Sequence, residues 1–214
     1  MHTNGHNLKP LLTHHWTMMR SVLLCWLSAV RGSARVFTSS CVGPPQPEVV
    51  SQDYYVSANG QKVFRAENLL TRNTAGETVA DLWFPPSDKQ QGEFVLDLGC
   101  VGRLAGAELV NTHNRQYRDR STRAFTLATA LTYTGPWTQV LSQELENSRQ
   151  QVDPLPLQTF TFSAVARFVK FKIVSWHDDA SAGGGLQYFF PILGESLLIE
   201  TTENYSYLWT LNME

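Results

Sequence analysis

Between Gly92 and Trp137 the chain alternates apolar and polar residues on both sides of an arginine-rich loop. Side chains of an extended strand point alternately to its two faces, so Phe94, Leu96 and Leu98 share one face and Val95 and Asp97 the other. Asp97-Leu98-Gly99 reads as the end of that strand, with the glycine allowing a tight exit. Leu104 to Val110 predicts a second strand. In a third, Phe125, Leu127, Thr129 and Leu131 face one way while Ala124, Thr126, Ala128 and Ala130 face the other. Thr134-Gly135-Pro136-Trp137 has turn chemistry followed by an aromatic anchor.

The same period runs through the rest of the chain. Tyr54-Tyr55-Val56 and Val63-Phe64 predict short strands after a proline-rich connector at residues 42–50. Residues 68–92 hold many turn formers, which predicts a long ordered loop across the end of a sandwich with Leu69, Leu70 and Trp83 tucked inward. The competing role for Trp83 is an exposed stacking platform for a sugar. Residues 155–162 supply a strand. Residues 166–176 supply another, in which Val169, Phe171 and Ile173 alternate with Lys170 and Lys172, and Trp176 ends it in the core. After a Gly-rich loop, Leu186 to Phe190 makes a last short strand. No long 3.6-residue repeat is present, and many short strands at 8–15-residue spacing mean an all-β antiparallel sandwich or barrel.

With 43% hydrophobic and 11% aromatic residues in 214, the chain can build a packed core. A net charge of −2 gives no reason to expect nucleic acid as a partner. All 19 acidic residues lie from Glu48 onward, whereas residues 1–47 carry only Lys9, Arg20, Arg31 and Arg35. Within that acid-free segment, Met19-Arg20, an apolar run of about ten and the small Gly32 and Ala34 match a secretory signal peptide near residues 18–34. A mitochondrial leader is the alternative, and the apolar run is too short for a transmembrane segment. The histidine-rich start is read as leader rather than as a metal tract. The expected organisation is therefore leader and linker 1–47, a folded domain 48–194 and a tail 195–214, which contains the sequon Asn204-Tyr205-Ser206. Cys25, Cys41 and Cys100 are too few for a disulfide framework. Cys100 is read as a buried free thiol, with pairing to Cys41 as the alternative.

The segments FVLDLGC, NTHN, DRSTRAF, GPW, ARFVKF and GGGLQYF, in this order and at these spacings, resemble the discoidin or coagulation-factor 5/8 type C domain of the galactose-binding-like superfamily. The likeness covers residues 53–194 through Asp97-Leu98-Gly99, Asp119-Arg120-Ser121-Thr122, Gly135-Pro136-Trp137, Arg167-Phe168-Val169-Lys170 and Leu186-Gln187-Tyr188. It implies an eight-stranded jelly-roll β-sandwich whose loops at one end bind glycans or phospholipid headgroups. Many members hold a structural calcium. Here Asn68-Leu69-Leu70-Thr71 lacks the family's Asp-Gly pair, and Gln187 stands where an acidic residue is common. Calcium needs several oxygen ligands, usually carboxylates, so no cofactor and no metal ligands are expected.

The loop from Asn111 to Arg120 concentrates donors and an aromatic in ten residues. Guanidinium and amide groups suit vicinal sugar hydroxyls, an aromatic face suits the C–H side of a sugar ring, and Arg suits sulfate or phosphate bidentately. His113, Asn114, Arg115, Tyr117 and Arg118 are the candidate ligand-binding residues, with plain solvation the alternative reading. Asn111, Asp119 and Arg120 are expected to shape the loop, Asp119 by pairing with Arg120 or Arg123. Trp176-His177-Asp178-Asp179 could wall the same site. Gly183-Gly184-Gly185 lacks the following helix that a phosphate-cradling loop needs. His113, His177 and Asp178 with Ser175 or Ser181 can be imagined as catalytic. With no nucleophile elbow and no paired-histidine motif, however, no catalytic residue and no enzyme are expected. The expected function is a non-catalytic module for glycans or anionic phospholipid or sulfated ligands, with a cell-surface protein as a further candidate partner. An intracellular adaptor of the same fold and an enzyme-associated carbohydrate-binding module are the alternatives.

Overall fold

The computed structural model describes residues 46–72, 78–86, 91–177 and 180–194. The expected leader to residue 45, Cys25, Cys41, Asp178, Asp179 and the tail with its sequon lie outside these residues. Among these residues eight strands make up the fold: β1 Glu48–Gln52, β2 Tyr55–Val56, β3 Val63–Phe64, β4 Glu93–Asn111, β5 Ala124–Ala130, β6 Thr138–Glu144, β7 Leu157–Ile173 and β8 Leu186–Leu193. All pairings are antiparallel, and the architecture is a jelly-roll β-sandwich. Among the described residues no helix is long and apolar enough to cross a membrane.

Two long strands make the sandwich. The first half of β4 pairs with β1 and with the second half of β7, which continues into β5 and β6. The second half of β4 pairs with β8 and with the first half of β7. The two strands expected from Phe94 and from Leu104 are thus one 19-residue strand, and residues 155–162 and 166–176 contribute to a single 17-residue strand. The joint in β4 lies at Asp97-Leu98-Gly99, where the β4–β7 register slips between Asp97 and Gly102. Gly99 has φ of 78°, a backbone that side chains other than glycine rarely adopt. The Asp97 carboxylate accepts the Gly99 N–H (2.8 Å) and a bidentate pair from Arg167 (2.9 Å each). The motif therefore bends a strand rather than ending one.

Between the two layers sits an aromatic core. Phe171 stacks on Phe94 (5.2 Å between centroids, 13°) and on Phe125 (5.4 Å, 17°), and Trp83 meets Phe94 edge-on (5.0 Å, 82°). Such pairs add about 0.5–1.5 kcal/mol each beyond the area they bury. Trp83 is fully buried and donates its indole N–H to the Asp53 carbonyl (2.7 Å), which excludes the exposed-platform role. Leu69 is buried beside it and Leu70 half-buried, as the long loop predicts. Leu131 lies beyond β5 and is exposed, and Trp176 lies beyond β7, half-buried, rather than in the core. Cys100 is disulfide-bonded, which overturns the free-thiol reading.

Candidate functional site

Four loops meet at one end of the sandwich, because the strands they join end there in register. Val110 lies opposite Leu157 and Tyr188, Ala124 opposite Glu144, and Phe125 opposite Ile173. The loops belong to the described parts of segments 53–92, which also carries β2 and β3, 112–123, 145–156 and 174–185. Thr122 bridges Trp176, Trp83 bridges Leu186, and the Ala182 N–H donates to the Asp119 carbonyl (3.0 Å).

Asn111 anchors this end from below. It is 1% exposed, and its Nδ2 donates to Ser121 Oγ (3.2 Å) and to the carbonyls of Thr122 and Glu146 (2.8 Å each). Its Oδ1 accepts the N–H groups of Thr112 (2.9 Å) and Thr122 (3.0 Å). Ser148 extends the net by donating its one hydroxyl proton to the Thr112 carbonyl (2.6 Å), so Ser121 is the donor in the 3.0 Å contact between the two serines. One buried side chain thus ties the start of the 112–123 loop to its end and to the 145–156 loop.

On this base the candidate residues divide. His113 is buried at 2% exposure, with Nε2 3.4 Å from Asp153 Oδ1 of the neighbouring loop. Asn114 is half-buried, receives the Thr112 hydroxyl oxygen as acceptor for its N–H (2.9 Å) and donates Nδ2 to Asp119 (2.6 Å). That bond replaces the pairing expected between Asp119 and Arg120 or Arg123, since Arg123 pairs with Glu144 (3.2 Å). Arg118 Nη1 donates to the carbonyls of Arg149 and Gln151, and Arg149 Nε donates back to the Arg118 carbonyl. What faces solvent is the one-turn 3-10 segment Arg115–Tyr117, with Tyr117 63% exposed. Beside it Val152 is 81% exposed, held between the Gln151 and Asp153 contacts.

Arg120 points the other way. It is 4% exposed, lies over the rings of Phe84 (4.6 Å) and Tyr55 (5.5 Å), and donates to the Pro85 carbonyl (3.3 Å). Burial holds its guanidinium below the usual arginine pKa, against the opposing pull of Asp119. It shapes the base of the loops by packing.

Two of the imagined catalytic residues, His177 and Ser175, are likewise engaged in structure. His177 Nε2 lies 3.1 Å from the Leu145 carbonyl, and Ser175 Oγ accepts the Ala124 N–H (3.3 Å). For a metal, no three His, Cys, Asp or Glu side chains cluster among the described residues. The pocket lined by Gln187 contains one charged side chain, Arg72, whose positive charge opposes a cation, so this donor set does not suit calcium. Sequence reasoning missed Asp153, Ser148, Arg149 and Val152. Asp153, Ser148 and Arg149 stand 27 to 40 residues from their partners in a segment with no strand period, so nothing local marked them.

No protein-family model matches the chain, and no curated protein matches it. Solved structures do. The C-terminal domain of a chitobiase from Bacteroides fragilis superposes with a TM-score of 0.52 at 14% identity, covering 74% of this chain and all of that one. A putative chitobiase fragment from Bacteroides thetaiotaomicron gives 0.52 at 14% identity, covering 75% and 99%. The family 32 carbohydrate-binding module of Streptococcus pneumoniae EndoD gives 0.49 at 11% identity, covering 70% and 97%. Over about three-quarters of its length, then, this chain shares the β-sandwich fold of the two chitobiase domains.

Proposed function

We propose that the chain is a non-catalytic glycan-binding module that takes its ligand at the rim built by the 112–123 and 145–156 loops. One observation carries the reading. Asn114, Arg115 and Arg118 all have positive φ (58°, 54° and 55°) within five residues. Such a backbone costs energy in residues other than glycine and persists only where its surroundings impose it, which happens most often at binding sites. Here the Asn111 net and the Arg118–Arg149 exchange impose it, and the result is a fixed turn presenting Tyr117 and Arg115 to solvent. A rigid aromatic with a guanidinium beside it suits the C–H face and the hydroxyls of a sugar. The same sandwich serves as the C-terminal domain of a chitobiase, which agrees with a glycan-facing role. Kinship with discoidin domains is the finer form of this reading, supported by the order of motifs from Asp97-Leu98-Gly99 to Leu186-Gln187-Tyr188. Secretion by a leader near residues 18–34 fits it, because glycans are met outside the cell.

The test is an array of neutral and sulfated glycans, with anionic vesicles as a separate arm. Tyr117→Ala is expected to weaken glycan binding about tenfold, the equivalent of 1.4 kcal/mol, without lowering the melting temperature. An array with no glycan bound refutes the function. A Tyr117→Ala variant that binds as tightly as the parent refutes the site.

A further inference from the structure

On the outer face of the three-stranded layer lies a pocket of about 280 Å³. Its walls are apolar: Leu155, Pro156 and Leu157 from the end of the 145–156 loop and the start of β7, and Tyr188 from β8. Two polar side chains enter it, Gln187 and Arg72. Gln187 is placed there by a bulge. Val110 pairs with Tyr188 and Asn111 with Leu186, so Gln187 is the extra residue of β8. Bulges re-aim side chains and are common beside binding sites. Gln187 is 3% exposed, and its Oε1 is buried with no hydrogen-bond partner. Nearly all buried polar groups are paired, so a lone amide oxygen at a pocket needs an explanation.

We propose that this pocket is a second ligand site, distinct from the rim, which takes one uncharged sugar residue or a sugar-like ring. The ligand class rests on the glycan-binding reading above; the location does not. The volume falls at the lower edge of the roughly 300–1,000 Å³ usual for small-molecule sites, room for a single ring. The unpaired Oε1 asks for a donor, because it can only accept. The walls ask for an apolar face or a methyl group next to that donor. Arg72 is the one charged side chain lining the pocket, and Glu108 acts against it on the Tyr188 hydroxyl, whose pKa is raised chiefly by burial. A ring that carries hydroxyls, or an acetamido N–H beside its methyl, fits every one of these requirements.

The experiment is a titration of the 15N-labelled chain with N-acetylglucosamine, galactose and, as the charged control, glucuronate. Saturable shifts are expected at the amides of Leu155, Leu157, Gln187 and Tyr188 with at least one uncharged sugar and not with glucuronate. Gln187→Leu, which removes the acceptor and keeps the bulk, is expected to weaken that binding at least tenfold with no fall in melting temperature. Arg72→Ala, at an exposed position, is the parallel variant and is expected to weaken it several-fold. Tyr117→Ala is expected to leave these shifts in place. Shifts confined to residues 115–118 and 152 would overturn the pocket while leaving the rim reading intact. Shifts at neither place would overturn both. Unchanged affinity in Gln187→Leu, or in Arg72→Ala where the first variant is unstable, would also overturn the pocket.

Discussion

Asn111→Ala is the perturbation whose effect the structure specifies most fully. The substitution leaves the N–H groups of Thr112 and Thr122 and the carbonyls of Thr122 and Glu146 without the partner they now share. Leaving a buried donor unmade costs about 1–3 kcal/mol, so the two N–H groups alone set a loss of about 3 kcal/mol or more, reduced where water enters the vacated space. For a domain of this size each kcal/mol moves the melting temperature by about 2–4 °C, which makes the expected drop about 6–12 °C. Urea unfolding followed by circular dichroism gives the free energy, and a thermal melt gives the temperature. Asn111→Asp separates geometry from volume, because it keeps the shape but sets a carboxylate oxygen against two carbonyls. Its loss at neutral pH is expected to match or exceed that of the alanine variant, with partial recovery in acid as the carboxyl takes up a proton and can donate. A loss below about 1 kcal/mol in both variants, no more than an ordinary substitution gives, would refute the claim that this side chain holds the loops together.

Two further outcomes follow from the same contacts. The bond from Arg167, and less strongly that from the Gly99 N–H, holds the Asp97 carboxyl below its ordinary value of 3.8, partly opposed by burial. Its stabilising contribution is therefore present above 3.8 and is lost as pH falls through the lowered folded value. Asp97→Asn is expected to lower the melting temperature at neutral pH and to flatten its acid limb, and an unchanged acid limb would refute the assignment. Arg120→Lys keeps the charge but replaces the plane that lies over Phe84 and Tyr55 by a compact ammonium. A loss of about 1–2 kcal/mol is expected from the buried cation–π contacts, against no measurable loss if Arg120 only solvates.

Much of this fold was legible in the chain because burial imposes a period of two. Phe94, Leu96, Phe125, Leu127, Val169, Phe171 and Ile173 alternate in sequence, and all are core residues. The unity of β4 and of β7 was not legible. A glycine at positive φ inside a bulged strand has the same local signature as one that ends a strand, and only the partner strand tells them apart. The loop end was legible as a concentration of donors and not as a geometry. Asn111 was expected to shape the loop, and its bonds show how. His113 and Arg118 look like surface residues beside Asn114 and Arg115, yet Asp153 and the carbonyls of Arg149 and Gln151 engage them from a loop some 30 to 40 residues away. Gln187 differed only as an exception to a family pattern. The lack of a hydrogen-bond partner for its Oε1 goes with the bulge, which no sequence period announces.

The sharing of β4 and β7 by both layers has a consequence for how the molecule opens. In a sandwich whose layers own separate strands, one layer can loosen while the other stays intact. Here each long strand pairs in both layers, so parting either layer unzips one end of a strand whose other end holds the second. The two layers therefore form a single cooperative unit, and amides in both halves of β4 and β7 should exchange with solvent only through complete unfolding. The rim lies outside that unit. It is fastened by side chains rather than by strand pairing, so its amides are expected to exchange by local opening while the sandwich beneath stays closed.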